Sequence, residues 1–215
     1  MLKIVIFLCC SLAFINLDAQ LYKDAKADVE DRVEDLLRRM TLEEKVAARV
    51  ISRDGNNWFH VFTIDKGKKD GIQVDMNVIA GNGLVGIVSE VGESYAKVRA
   101  IIDDKSNVSA MFQDTGETCI VKGNMESIYK GYIDIEMISN TAKIKDGDEV
   151  VTSHVSDKFL QGLSVGYVKD IVSDPSSQTK TAHLIPSVNF DQLENVLVIT
   201  QLKDNSEIKD IKNYD

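Results

Sequence analysis

The chain has 215 residues, 44% hydrophobic and 27% charged, a composition that excludes bulk disorder and allows one large or two small cores. Its 25 Lys and Arg stand against 34 Asp and Glu, giving a formal net charge of -9 and a pI near 4.9. That balance argues against phosphate backbones and anionic membrane surfaces as partners, so nucleic acid is not expected.

Residues 1–19 have the form of a signal peptide. Lys3 supplies a thin positive start, Ile4 to Ile15 is apolar apart from Cys9, Cys10 and Ser11, and small Ala19 precedes Gln20. The run is shorter than the roughly 20 residues that span a bilayer, so cleavage after Ala19 is preferred to an uncleaved membrane anchor. Either way the rest is expected outside the cytoplasm. Export with cleavage leaves Cys119 as the sole thiol, unable to form an intramolecular disulfide. Its setting in Thr118-Cys-Ile-Val121 predicts a buried, inert cysteine.

Residues 20–47 read as an amphipathic helical segment. Val29, Val33, Leu36, Leu37 and Met40 recur at helical spacing among charged residues, and Thr41 with Glu44 has the spacing of a capping box. Helix is expected from Asp24 to about Ala48. The best repeat, Asp28 to Met40, covers about two heptads, too few for a coiled coil, so weak or no dimerisation is expected through it.

Beyond residue 47 the period falls to two. Predicted strands run over Trp58–Asp65, Asn77–Ala80, Leu84–Val91, Ala96–Ile102, Val108–Phe112, Thr118–Val121, Gly131–Met137, Glu149–Thr152, Ser164–Val172, Thr181–Ile185 and Val196–Thr200. In the strand Gly131–Met137, Ile133, Ile135 and Met137 are expected on the buried face. Short strands separated by Asp-Gly, Lys-Gly and Asn-Gly pairs point to a mainly β fold, a barrel or a sandwich. A polar tail covers 204–215. Gly67, Gly71, Gly83, Gly86, Gly147, Gly162 and Gly166 are the structural turn glycines, with Asn82-Gly83 as a turn and Gly86 relieving crowding in the strand that follows.

Gly81, Gly83 and Gly86 also spell G-x-G-x-x-G, with Asp103 about twenty residues on, the arrangement of a dinucleotide site. Such a site needs a helix after the glycines to hold the pyrophosphate on its N-terminus. Here Ile87-Val-Ser-Glu-Val91 is β-branched and ends at Gly92, so a strand is expected and no cofactor is assigned. His60, His154 and His183 lie far apart, no metal-ligand spacing accompanies them, and no serine has a glycine-flanked nucleophile setting. Ser153-His154 on a barrel is the one protease-like pair. No catalytic residue, metal ligand or small-molecule substrate is assigned. Trp58 and Phe59 are candidate interface aromatics, with core packing as the competing role.

Two resemblances follow from particular residues. Leu21-Tyr-Lys-Asp24 and Arg32 to Val46 resemble the mature start of family 3 glycoside hydrolases, but the match stops near residue 47 and brings no nucleophile motif. Arg49 to Asp54, Asn57-Trp-Phe59, Thr63 to Gly67, Asp70-Gly-Ile72, Gly83 to Gly86, Ala96-Lys-Val98, Asp104 to Ala110, Lys145 to Ser153, Gln161 to Gly166 and Phe190 to Val198 resemble the MreC family of cell-shape-determining proteins. The blocks keep the family's order over about 47–200.

The second resemblance implies two small β-barrels outside the cytoplasmic membrane, a first β subdomain at 48–107 and a second at 108–203, with the C-terminal strands able to return to the first. It implies a non-enzymatic scaffold of the bacterial rod complex, organising peptidoglycan synthesis. The implied partners are an MreD-like membrane protein, a class B penicillin-binding protein and an actin-like cytoskeleton, together with self-association. A glycoside hydrolase fragment or a protease-like barrel enzyme is the alternative. Two departures stand out: His154 to Phe159 lacks the family's glycines, and a signal-like leader and short helix replace the membrane helix and coiled coil. The chain therefore reads as a junction near residue 47.

Overall fold

The structure is a computed structural model that describes residues 45–53, 60–173 and 178–204. The leader expected over residues 1–19, residues 20–44 of the expected helical segment, Trp58, Phe59 and residues 205–215 lie outside the described residues. Among the described residues there are twelve strands: β1 (Lys45–Arg53), β2 (Val61–Ile64), β3 (Asn77–Ala80), β4 (Gly83–Val91), β5 (Ala96–Ala100), β6 (Asn107–Phe112), β7 (Thr118–Lys122), β8 (Ile133–Ser139), β9 (Glu149–Thr152), β10 (Ser164–Ser173), β11 (Thr179–Pro186) and β12 (Asn195–Ile199). A short α-helix, α1 (Met125–Tyr129), precedes β8.

The strands close into two six-stranded antiparallel rings. In the first, β1 pairs with β2, β2 with β5, β5 with β4, β4 with β3, β3 with β12 and β12 back with β1. In the second, the order β6, β7, β8, β11, β10, β9 returns to β6. Closure removes the unpaired edges through which open sheets aggregate. A single parallel pair, Gly83 with Ser164, bridges the rings.

Alternation fills each interior. Phe62 and Ile64 on β2, Val78 on β3, Val88 on β4, and Val196 and Val198 on β12 are buried in the first barrel. Val108, Ala110 and Phe112 on β6, Val121 on β7, Ile133 and Ile135 on β8, and Leu184 on β11 are buried in the second. Barrels of this size are filled by side chains and leave no channel.

Two expectations are corrected. Lys45 to Ala48 is strand, where helix was expected, because Val46, Ala48 and Val50 alternate against the core and Lys45 to Arg49 pair with β12 from Ile199 to Asn195. Met137 is not buried. It has φ 61 and is 66% exposed, because a bulge in the β8–β11 ladder reverses the phase so that Ile138 turns inward.

Candidate functional site

The glycine-rich stretch is a hairpin. Gly81 takes the left-handed conformation, φ 56, in the turn between β3 and β4, while Gly83 is already the first residue of β4. The turn is therefore Gly81-Asn82, and Gly83 serves a close approach: a Cβ there would meet Val188 and lie 3.0 Å from the Ser187 Cβ. The chain leaves the motif as a nine-residue strand, so the helix N-terminus that would hold a pyrophosphate is replaced by a β-ladder. Of the other sequence-selected glycines, Gly71, Gly147 and Gly162 have positive φ. Gly67, Gly86 and Gly166 instead lie where a Cβ would strike neighbouring backbone.

Ser153 and His154 do not form a reactive pair. Ser153 is fully buried and its Oγ accepts from the Val155 N–H at 3.2 Å, whereas His154 is exposed. The missing glycines of this loop are replaced by serine turns. Ser156 Oγ accepts from the Phe159 N–H at 2.9 Å and from the Lys158 N–H at 3.3 Å.

Charge is concentrated where β2 meets β5. His60 Nδ1 donates to Asp103 Oδ2 at 2.6 Å, Arg99 Nε lies 3.8 Å from the other carboxylate oxygen, and the Lys105 N–H donates to that oxygen at 2.9 Å. Asp103 is 5% exposed, and these donors compensate its buried charge. The carboxylate holds a turn. Burial pushes the Cys119 thiol up to about 12, consistent with an inert core cysteine. The Gly67 backbone N–H, donated to Asp70 at 3.0 Å, holds that carboxyl below its ordinary value. Among the described residues no group of three or more His, Cys, Asp or Glu is placed to hold a metal. Nor does any helix among them have the length and apolarity to cross a membrane.

The remaining candidate is a surface. On the outer face of the second barrel Tyr167 of β10 stands opposite Ile185 of β11, both exposed, and Tyr132 stacks on His183 with ring centroids 3.8 Å apart. Tyr129, 73% exposed at the end of α1, borders the same region across a groove of about 310 Å³ lined by Ile128, Gly131, Ile185, Pro186 and Phe190. Exposed aromatic and aliphatic side chains on a rigid barrel are the raw material of a protein interface. The sequence did not single these residues out: Tyr167 and Ile185 merely alternate within predicted strands, and their adjacency comes from a register set by the fold. Trp58 and Phe59 lie outside the described residues.

A family model described as "Rod shape-determining protein MreC, barrel core" matches residues 50–200. A cell shape-determining protein MreC from Listeria monocytogenes is 30% identical over 187 residues, 80% of this chain and 61% of that protein. The chain thus spans about three fifths of that relative's length. A solved MreC structure from Listeria monocytogenes aligns with a TM-score of 0.68 at 29% identity, covering 82% of this chain and 89% of that one. The MreC in a complex with penicillin-binding protein PBP2 from Helicobacter pylori shares the fold, with a TM-score of 0.55 at 16% identity, covering 73% of this chain and 99% of that one.

Proposed function

Because the chain belongs to the MreC family, we propose that it is a non-catalytic scaffold of the bacterial cell-shape complex, organising peptidoglycan synthesis at the outer face of the cytoplasmic membrane. The carrying observation is the family's barrel core, matched over residues 50–200 and closed here as two six-stranded barrels. The non-catalytic reading is supported by the commitments of the reactive groups: Ser153 Oγ serves its loop and Asp103 serves a turn.

A class B penicillin-binding protein is the partner proposed first, supported by the Helicobacter pylori complex, whose MreC shares this fold. That likeness is of fold, so the partner itself is what must be tested. The Tyr129, Tyr167 and Ile185 surface is the contact proposed for it. An MreD-like membrane protein, an actin-like cytoskeleton and self-association complete the proposed partner set. Extracytoplasmic placement belongs to the same proposal, supported by the signal-like run at residues 4–15.

The test is co-purification of the full chain with a class B penicillin-binding protein from the same cells. Recovery of the pair supports the proposal, and repeated failure with folded protein refutes the choice of partner. Fractionation with N-terminal sequencing checks location: a Gln20 start in an exported fraction indicates cleavage, and an intact leader in the membrane fraction indicates anchoring.

A further inference from the structure

We propose that Asn77 is the latch that fixes the second barrel against the first, so that a partner meets the two barrels as one rigid body. The backbone of Asn77 is anchored in the first barrel by pairing with Ile87 of β4 and Ile199 of β12. Its side chain, 1% exposed, reaches the second barrel's loop between β9 and β10. Nδ2 donates to the Lys158 carbonyl at 3.0 Å and to the Asp75 carbonyl at 3.3 Å, and Oδ1 accepts from the Leu160 N–H at 2.7 Å. Both amide protons and the amide oxygen are therefore used.

The contact continues into the wall of the second barrel. The Leu160 carbonyl accepts from Thr152 Oγ1 at 2.5 Å, and the same hydroxyl oxygen accepts from the Leu163 N–H at 2.8 Å. Thr152, fully buried, pairs with Ala110 of β6. A continuous file of buried hydrogen bonds thus runs from β3 through Leu160 to β9, in a setting where an unpaired polar group is costly. By contrast the nearby Lys158–Asp75 ion pair, at 3.1 Å, is exposed on both sides and is weakened by water and salt. The ladder joining the rings is a single residue pair. Opening the angle between the barrels would break the Asn77 contacts with Lys158 and Leu160 and separate buried polar groups from their partners.

The test uses the full chain with Cys9 and Cys10 replaced by serine and spin labels at two exposed sites, Glu93→Cys in the first barrel and Glu126→Cys in the second. The parent protein is expected to give one narrow inter-label distance, Asn77→Ala a broadened or second distance, and Lys158→Ala the parent distance. A folded Asn77→Ala protein with the parent's width overturns the proposal. Should that variant not fold, amide exchange in the parent decides. The Leu160 amide is expected to exchange as slowly as that of Leu163, and exchange more than about tenfold faster would show the latch opening independently of the barrel.

Discussion

Gly86 on β4 and Ala100 on β5 are register partners so close that a Cβ on Gly86 would lie 2.8 Å from the Ala100 Cα and closer still to the Arg99 carbonyl oxygen. The obstacle is backbone, which cannot rotate away as a side chain can. Gly86→Ala is therefore expected to destabilise the protein by about 3 kcal/mol, the upper range for overpacking. Urea denaturation measures it, and a loss under about 0.5 kcal/mol would mean that the β4–β5 ladder relaxes freely.

Cys119 gives a pH prediction. Its folded value, about 12, lies above the ordinary thiol value, so the folded state holds its proton where the unfolded chain has lost it. Stability from this group is complete below the unfolded value near 9 and is lost as pH rises toward 12, at a slope of at most about 1.4 kcal/mol per pH unit. Denaturation midpoints from pH 8 to 11 should fall less steeply in Cys119→Ala than in the parent. Parallel slopes would contradict the burial argument.

Asn124 caps α1 by accepting from the Glu126 and Ser127 N–H groups, and its Nδ2 donates to Asp134 at 2.8 Å. Asn124→Ala removes both functions and should cost about 1 to 2 kcal/mol in thermal or urea unfolding. Asn124→Asp keeps the cap but places a carboxylate beside Asp134. It should recover only part of the loss, and full recovery would show that the Asp134 contact contributes nothing.

Tyr129 and Ile185 are exposed, so replacing either with alanine should change stability by no more than about 0.5 kcal/mol. If this face receives the penicillin-binding partner, the double variant should bind it at least about tenfold more weakly. Titration of the purified pair measures this. Unchanged affinity would move the contact elsewhere while leaving the family assignment intact.

Local pattern carried much of the fold. Asn77–Ala80 and Glu149–Thr152 fall on the expected boundaries because each is a short β-branched run bounded by turn chemistry. β1 was hidden because Lys45, Arg49 and Arg53 punctuate it at four-residue spacing, which imitates a helix. Only pairing with β12, some 150 residues away, decides the matter. Met137 was misplaced because a bulge shifts phase without leaving a glycine to mark it.

The candidate sites were less legible. Asn77 opens an otherwise apolar strand, and a polar residue at such a place was the available signal, but its partners at 158 and 160 are fixed by the packing of two barrels. The same holds for Tyr167 and Ile185, whose adjacency is a matter of register. The turn glycines were recognisable as a class. Which of them needs positive φ and which needs close approach depends on neighbours distant in sequence.

The position of β12 between β3 and β1 imposes an order of assembly. The strands of the second barrel are contiguous in sequence, so that ring can close as soon as β11 has been synthesised. The first ring must wait for Asn195 to Ile199, the last of the described strands, and until then β1 and β3 hold open edges toward each other. A chain stopped just short of that strand would carry a finished second barrel beside a five-stranded sheet with two unpaired edges, the form most exposed to aggregation and proteolysis.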